Sequence, residues 1–109
     1  MAERIISKEV DKIVRLYSDR LAKKEKFPIE KVIVFGSQVK GNKRKWSDID
    51  ICVISPKFKD PIEALRFLWQ RRNIEEVRAG LEPVGFTRKD FEEGGSLIQE
   101  IKRTGVEII

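Results

Sequence analysis

The chain has 109 residues, with 23 Lys and Arg against 18 Asp and Glu, for a net charge of +5 and a charged fraction of 38%. One cysteine, Cys52, excludes an internal disulfide framework, and the lack of histidine excludes Ser-His and Cys-His nucleophilic chemistry and histidine-ligated zinc. Any metal would therefore be held by carboxylates, which favours Mg²⁺ or Mn²⁺.

In chain order, Val10, Ile13, Val14, Tyr17 and Leu21 fall three or four apart, which predicts a helix over about 7–26 with Ser7 as its cap and Pro28 beyond its end. Residues 31–35 are apolar and rich in β-branched side chains, predicting a buried strand that stops at Gly36-Ser37. A short helical turn is expected through Gln38, Val39 and Lys40, then a polar, basic loop over 42–46. A second strand is predicted over 49–54, halted by Ser55-Pro56. Asp60-Pro61-Ile62-Glu63 opens the next helix, whose expected apolar face is Ile62, Leu65, Phe67, Leu68 and Trp69 and which ends near Asn73 or Val77. A third strand is expected over 81–86; Gly80, Pro83 and Gly85 mark it as an edge. Thr87-Arg88-Lys89-Asp90 begins a short helix ended by Gly94-Gly95. Ser96 is expected to cap a last helix through Arg103, and 106–109 to form a terminal strand. With no repeat or linker, the expectation is one α/β (α+β) domain over 1–109, a small mixed sheet of three to four strands with helices on one face. No apolar run nears the ~18 residues a membrane helix needs, and the first residues lack a secretion signal, so a cytoplasmic location is expected.

The chemistry lies in Val34-Phe35-Gly36-Ser37 and, past the basic loop, Ser47-Asp48-Ile49-Asp50. Glycine lets a phosphate approach the backbone, and a helix start presents unpaired N–H groups. Side chains alternate along a strand, so Asp48 and Asp50 point the same way, roughly 6–7 Å apart. At that separation they repel by about 2–3 kcal/mol at an effective dielectric near 20. Folding gives no reason to start an apolar strand with two such residues. A divalent cation turns that repulsion into attraction and bridges a polyphosphate to the protein.

Gly-Ser, ten residues, then Asp-x-Asp resembles the DNA polymerase β-like nucleotidyltransferase superfamily. The short length is most similar to its minimal nucleotidyltransferases, small proteins that are often antitoxin partners of HEPN-domain toxins. The resemblance implies that Asp48 and Asp50 hold metal ions on a nucleoside triphosphate, ATP being the leading choice, and that Gly36 and Ser37 cradle its phosphates. It also implies a third carboxylate on a neighbouring strand. Glu82, the acid embedded in the third expected strand, is the candidate; its ordinary alternative is an exposed edge-strand charge. The sequence departs from the family in having Gln38 and Lys40 where arginines commonly follow Gly-Ser. Lys40 neutralises phosphate as a point charge without a bidentate fork.

Two functions from different classes follow. One is a metal-dependent transferase moving AMP, or another nucleoside monophosphate, to an acceptor hydroxyl; the resemblance implies a tyrosine of a HEPN toxin as the leading acceptor. The other is an antitoxin that neutralises its partner by occlusion, with a vestigial or regulatory nucleotide site. Direct nucleic-acid binding ranks last because the basic loop, Lys40, Lys43, Arg44 and Lys45, carries no reading motif. Self-association stays open. Trp46 can stack on a base or pack its loop; Trp69 is assigned to core or interface, Arg71-Arg72 to dipole compensation, and Tyr17 to packing.

Overall fold

The computed structural model describes residues 6–36, 39 and 48–109. The first helix, α1 (Lys8–Lys23), is capped by Ser7, whose Oγ accepts a hydrogen bond from the Val10 amide at 3.1 Å. Its face of Val10, Val14, Tyr17 and Leu21 is buried as the spacing requires. The helix stops at Lys23, short of the expected Lys26, which instead turns the chain with φ +53.

Strands β1 (Lys31–Phe35) and β2 (Ile49–Ile54) pair antiparallel, with Val34 opposite Ile51 and Phe35 opposite Asp50. After β2 the chain crosses over through α2 (Pro61–Gln70) and α3 (Ile74–Arg78) to β3 (Leu81–Phe86), which pairs parallel to β2. It continues through α4 (Arg88–Glu93) and α5 (Ser96–Thr104) to β4 (Val106–Glu107), antiparallel to β1. The sheet order is β3-β2-β1-β4, a four-stranded mixed sheet.

Alternate residues of β1 and β2 feed two apolar layers. Val32, Val34, Ile49, Ile51 and Val53 pack with α1 and with Ala64 and Leu68 of α2. Ile33, Phe35, Cys52 and Ile54 face the other way, against Ile101 of α5 and Phe91 of α4. The main layer follows the expected one-sided packing, and α4 and α5 add a smaller layer on the opposite face. Both central strands are apolar on both faces, so each face needs cover. Each fully buried Ile or Leu contributes about 1.5–3 kcal/mol.

The expected long second helix is two helices. Asp60 caps α2, accepting from Glu63 N at 2.8 Å. Asn73 then restarts the chain with a reciprocal capping box to Glu76. The expected apolar face also needs correction. Ala64 and Leu68 make the buried contacts, while Ile62 and Leu65 are exposed. Gly85 on β3 explains the close seating of α2, because a Cβ there would meet Phe58 at 2.6 Å and Ala64 at 2.9 Å. Ser96 is the first residue of α5 rather than its cap; Gly95 occupies the cap position and gives no side-chain hydrogen bond.

Side-chain bonds tie α1 to the crossover. Tyr17 Oη donates to Leu68 O at 2.6 Å, so the packing residue is also a hydrogen-bonding one. Arg20 makes a two-armed bond to the buried Glu76 and donates to Arg71 O at 2.9 Å. Among the described residues no helix is long and apolar enough to cross a membrane.

Candidate active site

β1 ends where β2 and β3 begin, because β2 runs antiparallel to β1 and β3 parallel to β2. That one end of the sheet brings together Gly36, Asp48, Asp50 and Glu82. Asp50 pairs with Phe35 on one side and Glu82 on the other. Alternation places Asp50 and Glu82 on the sheet face of Phe35 and Cys52, at the end away from Ile54. Asp48 immediately precedes β2 and is exposed, whereas Asp50 and Glu82 are partly buried.

Two glycines fit the carboxylates closely. Gly36 has φ +79, and a Cβ there would lie 2.7 Å from Oδ2 of Asp50. Gly80 has φ +81, and its Cβ would lie 3.1 Å from Oδ1 of Asp48. Gly80 also accepts the Ile49 amide at 2.8 Å, fixing the backbone just after Asp48. In the sequence Gly80 marks only the edge of a strand; its place beside Asp48 follows from the pairing of β3 with β2.

The electrostatics follow from this crowding. Burial raises the Asp50 carboxyl above its ordinary value, and the Asp48 charge adds to the rise. Glu82 is also raised, first by burial, then by the charges of Asp48 and Asp50 and a hydrogen bond with Asp48; Arg72 opposes the shift. The three acids thus share one field. They do not close around a common point: among the described residues no three acidic or cysteine side chains form a ready metal cage. Their chemistry nevertheless fits a hard divalent cation, since all are oxygen donors whose mutual repulsion such an ion relieves.

Ser37 and Lys40, expected at the phosphates, lie outside the described residues, as do Lys43, Arg44, Lys45 and Trp46. Cys52 shares the carboxylate face but is fully buried, and burial pushes its thiol up to about 12, so it is an inert packing group. Trp69 and Arg72 were not expected near the site. Trp69 Nε1 donates to Pro83 O at 2.9 Å, and Arg72 Nη1 donates to Leu81 O at 2.9 Å. Arg72 therefore does more than compensate a helix dipole, and Arg71 stacks on Phe67 with its guanidinium carbon 3.7 Å from the ring centre.

A four-stranded mixed sheet with carboxylates and a strand-ending glycine at one end is the architecture of a nucleotidyl-transfer fold. The family model described as "Nucleotidyltransferase domain" matches residues 14–107, and the chain belongs to that family. Among solved structures, it is similar to a nucleotidyltransferase candidate from Sulfolobus solfataricus (TM-score 0.64, 15% identity, 91% of this chain and 78% of that one). It is also similar to a toxin–antitoxin complex with AMP-PNP (TM-score 0.62, 19% identity, 91% and 72% coverage). A third similar structure is that of a tri-AMPylated Shewanella oneidensis HEPN toxin with MNT antitoxin (TM-score 0.50, 17% identity, 87% and 71% coverage). No curated protein matches the chain. At these identities the structural likeness speaks for the fold.

Proposed function

We propose that this chain is a minimal nucleotidyltransferase that moves AMP from ATP to a hydroxyl of a HEPN-type toxin, with tyrosine the leading acceptor, and thereby acts as an antitoxin. The observation that carries the reading is the register of Asp50 beside Glu82, with Asp48 and Gly36 at the same end of the sheet. The neighbouring folds that include a toxin–antitoxin complex with AMP-PNP and an AMPylated HEPN toxin support the choice of partner and nucleotide.

In this mechanism Asp48, Asp50 and Glu82 are the residues that would hold Mg²⁺ or Mn²⁺. Such an ion would supply neutralisation of triphosphate charge. Gly36 leaves room for the phosphates at the end of β1, with Ser37 and Lys40 as their donors. Glu82, whose carboxyl burial and the two aspartates raise from its ordinary value, accepts the proton of the acceptor hydroxyl. Transfer is then mostly positioning plus charge neutralisation.

A second reading, neutralisation by occlusion, is favoured by the exposed Ile62, Leu65, Ile74 and Val77 of α2 and α3, which suit protein contact more than catalysis. The deciding experiment incubates the protein with [α-³²P]ATP, Mg²⁺ and a HEPN-type toxin. Label on the partner, lost with Asp48→Asn/Asp50→Asn together with neutralisation, supports the enzyme. Full neutralisation with no label from the unmutated protein supports occlusion.

A further inference from the structure

Among the described residues, the outer edge of β3 is closed by side chains rather than by another strand. In that edge strand the carbonyls of Leu81 and Pro83 face outward, and Pro83 has no N–H to leave unpaired there. Both carbonyls are held from the end of α2: Leu81 O by Arg72 Nη1 and Pro83 O by Trp69 Nε1, each at 2.9 Å. Arg72 also lies over the indole, 4.1 Å from its centre, and donates through Nε to Trp69 O at 3.2 Å. Indole, guanidinium and two carbonyls form one linked unit. The residue between those two carbonyls is Glu82.

The geometry points to Trp69 and Arg72 as positioning residues for Glu82, a clamp that holds the carbonyls of the residues before and after the third carboxylate. This rests on the proposed role of Glu82 at the metal and the acceptor hydroxyl. The physical need is clear. An edge strand is hydrogen-bonded on one side only and frays more readily than an inner one. Asp50 sits on an inner strand between β1 and β3, so it is held from both sides. Glu82 lacks a second strand, and the clamp supplies the missing restraint. Trp69 is 38% exposed, and its Nε1 bond to Pro83 is part-buried. A displacement near 1 Å at a reacting group costs about 10²-fold in rate, so partial loosening should cost about tenfold.

The test uses Trp69→Phe, which keeps a ring under Arg72 and deletes the Nε1 donor. Three quantities are read on the full chain: Mn²⁺ affinity by electron paramagnetic resonance, kcat and KM for ATP in transfer to the HEPN-type partner, and the melting temperature. Trp69→Phe should weaken Mn²⁺ binding severalfold and lower kcat about tenfold, with KM for ATP within about twofold of the unmutated value. In a Glu82→Gln background the same change should move neither Mn²⁺ affinity nor residual kcat, because a clamp acting through Glu82 has nothing left to position. Equal losses in both backgrounds, or a lowered melting temperature with kcat and Mn²⁺ affinity intact, would overturn the assignment. Arg72→Lys carries the same comparison if Trp69→Phe does not fold. Normal Mn²⁺ affinity and transfer in Glu82→Gln alone refute the role of Glu82 itself, and the clamp's function falls with it.

Discussion

Gly36 stands so close to Asp50 that any side chain at position 36 would press on the carboxylate, its Cβ 2.7 Å from Oδ2. The backbone there has φ +79, which costs an L-residue about 1–2 kcal/mol. Gly36→Ala should lower unfolding stability by at least that amount in urea titration and shift Asp50. The shift is read as weaker Mn²⁺ binding measured well below the unfolding midpoint.

Asp48 and Asp50 oppose each other in the metal-free chain, so Asp48→Asn/Asp50→Asn should melt at or above the unmutated temperature in EDTA at pH 7. The sign with pH follows from the raised carboxyls. Burial first, then the Asp48 charge, raises Asp50; Glu82 is raised by burial and by both aspartates. A raised acid is best tolerated by the fold when protonated, below the ordinary carboxylate range, and that stability is lost as pH rises through its folded pKa. The variant's advantage should therefore shrink as the buffer is taken down to about pH 4, and differential melting across that range checks it.

Glu76 is buried and bonded by both arms of Arg20, and it also closes the capping box with Asn73. Glu76→Ala strands the Arg20 charge and removes the box, so denaturation should show a loss of about 3–5 kcal/mol. Arg20→Met/Glu76→Leu should recover much of that loss, since removing both charges leaves none uncompensated.

Cys52 is fully buried between β1 and β3, and burial alone pushes its thiol up to about 12. Iodoacetamide at pH 9 should label the native protein far more slowly than the urea-unfolded chain. The neutral thiol is the form the fold accepts, so its contribution to stability is lost as pH rises from the ordinary thiol value of 9.0 towards about 12.

Strand positions were the most legible part of the sequence. Lys31–Phe35, Ile49–Ile54 and Leu81–Phe86 are found where apolar, β-branched or glycine-bounded runs predict them. Ser7, Asp60 and Thr87 cap as their residue types predict. Strand alternation points to Asp48 and Asp50 alone; the resemblance asks for a third acid on a neighbouring strand, with Glu82 the candidate, and the β2–β3 register sets Glu82 beside Asp50. The α2–α3 break was not foreseen, since the Asn73–Glu76 box lies inside an apparently continuous helical pattern. Nor were the partners of Trp69 and Arg72, whose bonds go to backbone carbonyls that carry no side-chain signal. Ile62 and Leu65 misled because hydropathy marks a helical stripe without saying which face the sheet takes.

The parallel pairing of β3 with β2 also orders the events of folding. β1 and β2 are joined by the 13 residues 36–48, so Gly36, Asp48 and Asp50 belong to one antiparallel unit. β3 arrives only after the 26 residues 55–80 have been laid down as the crossover. Closing that loop, about twice as long as the β1–β2 connection, costs about 0.6 kcal/mol more, so this pairing is the later of the two to form. A chain opened at the crossover keeps its two aspartates side by side and loses its glutamate. The completeness of the acid trio thus reports a contact less local than the β1–β2 pairing, and nucleotide transfer should fail on mild denaturation before that pairing is lost.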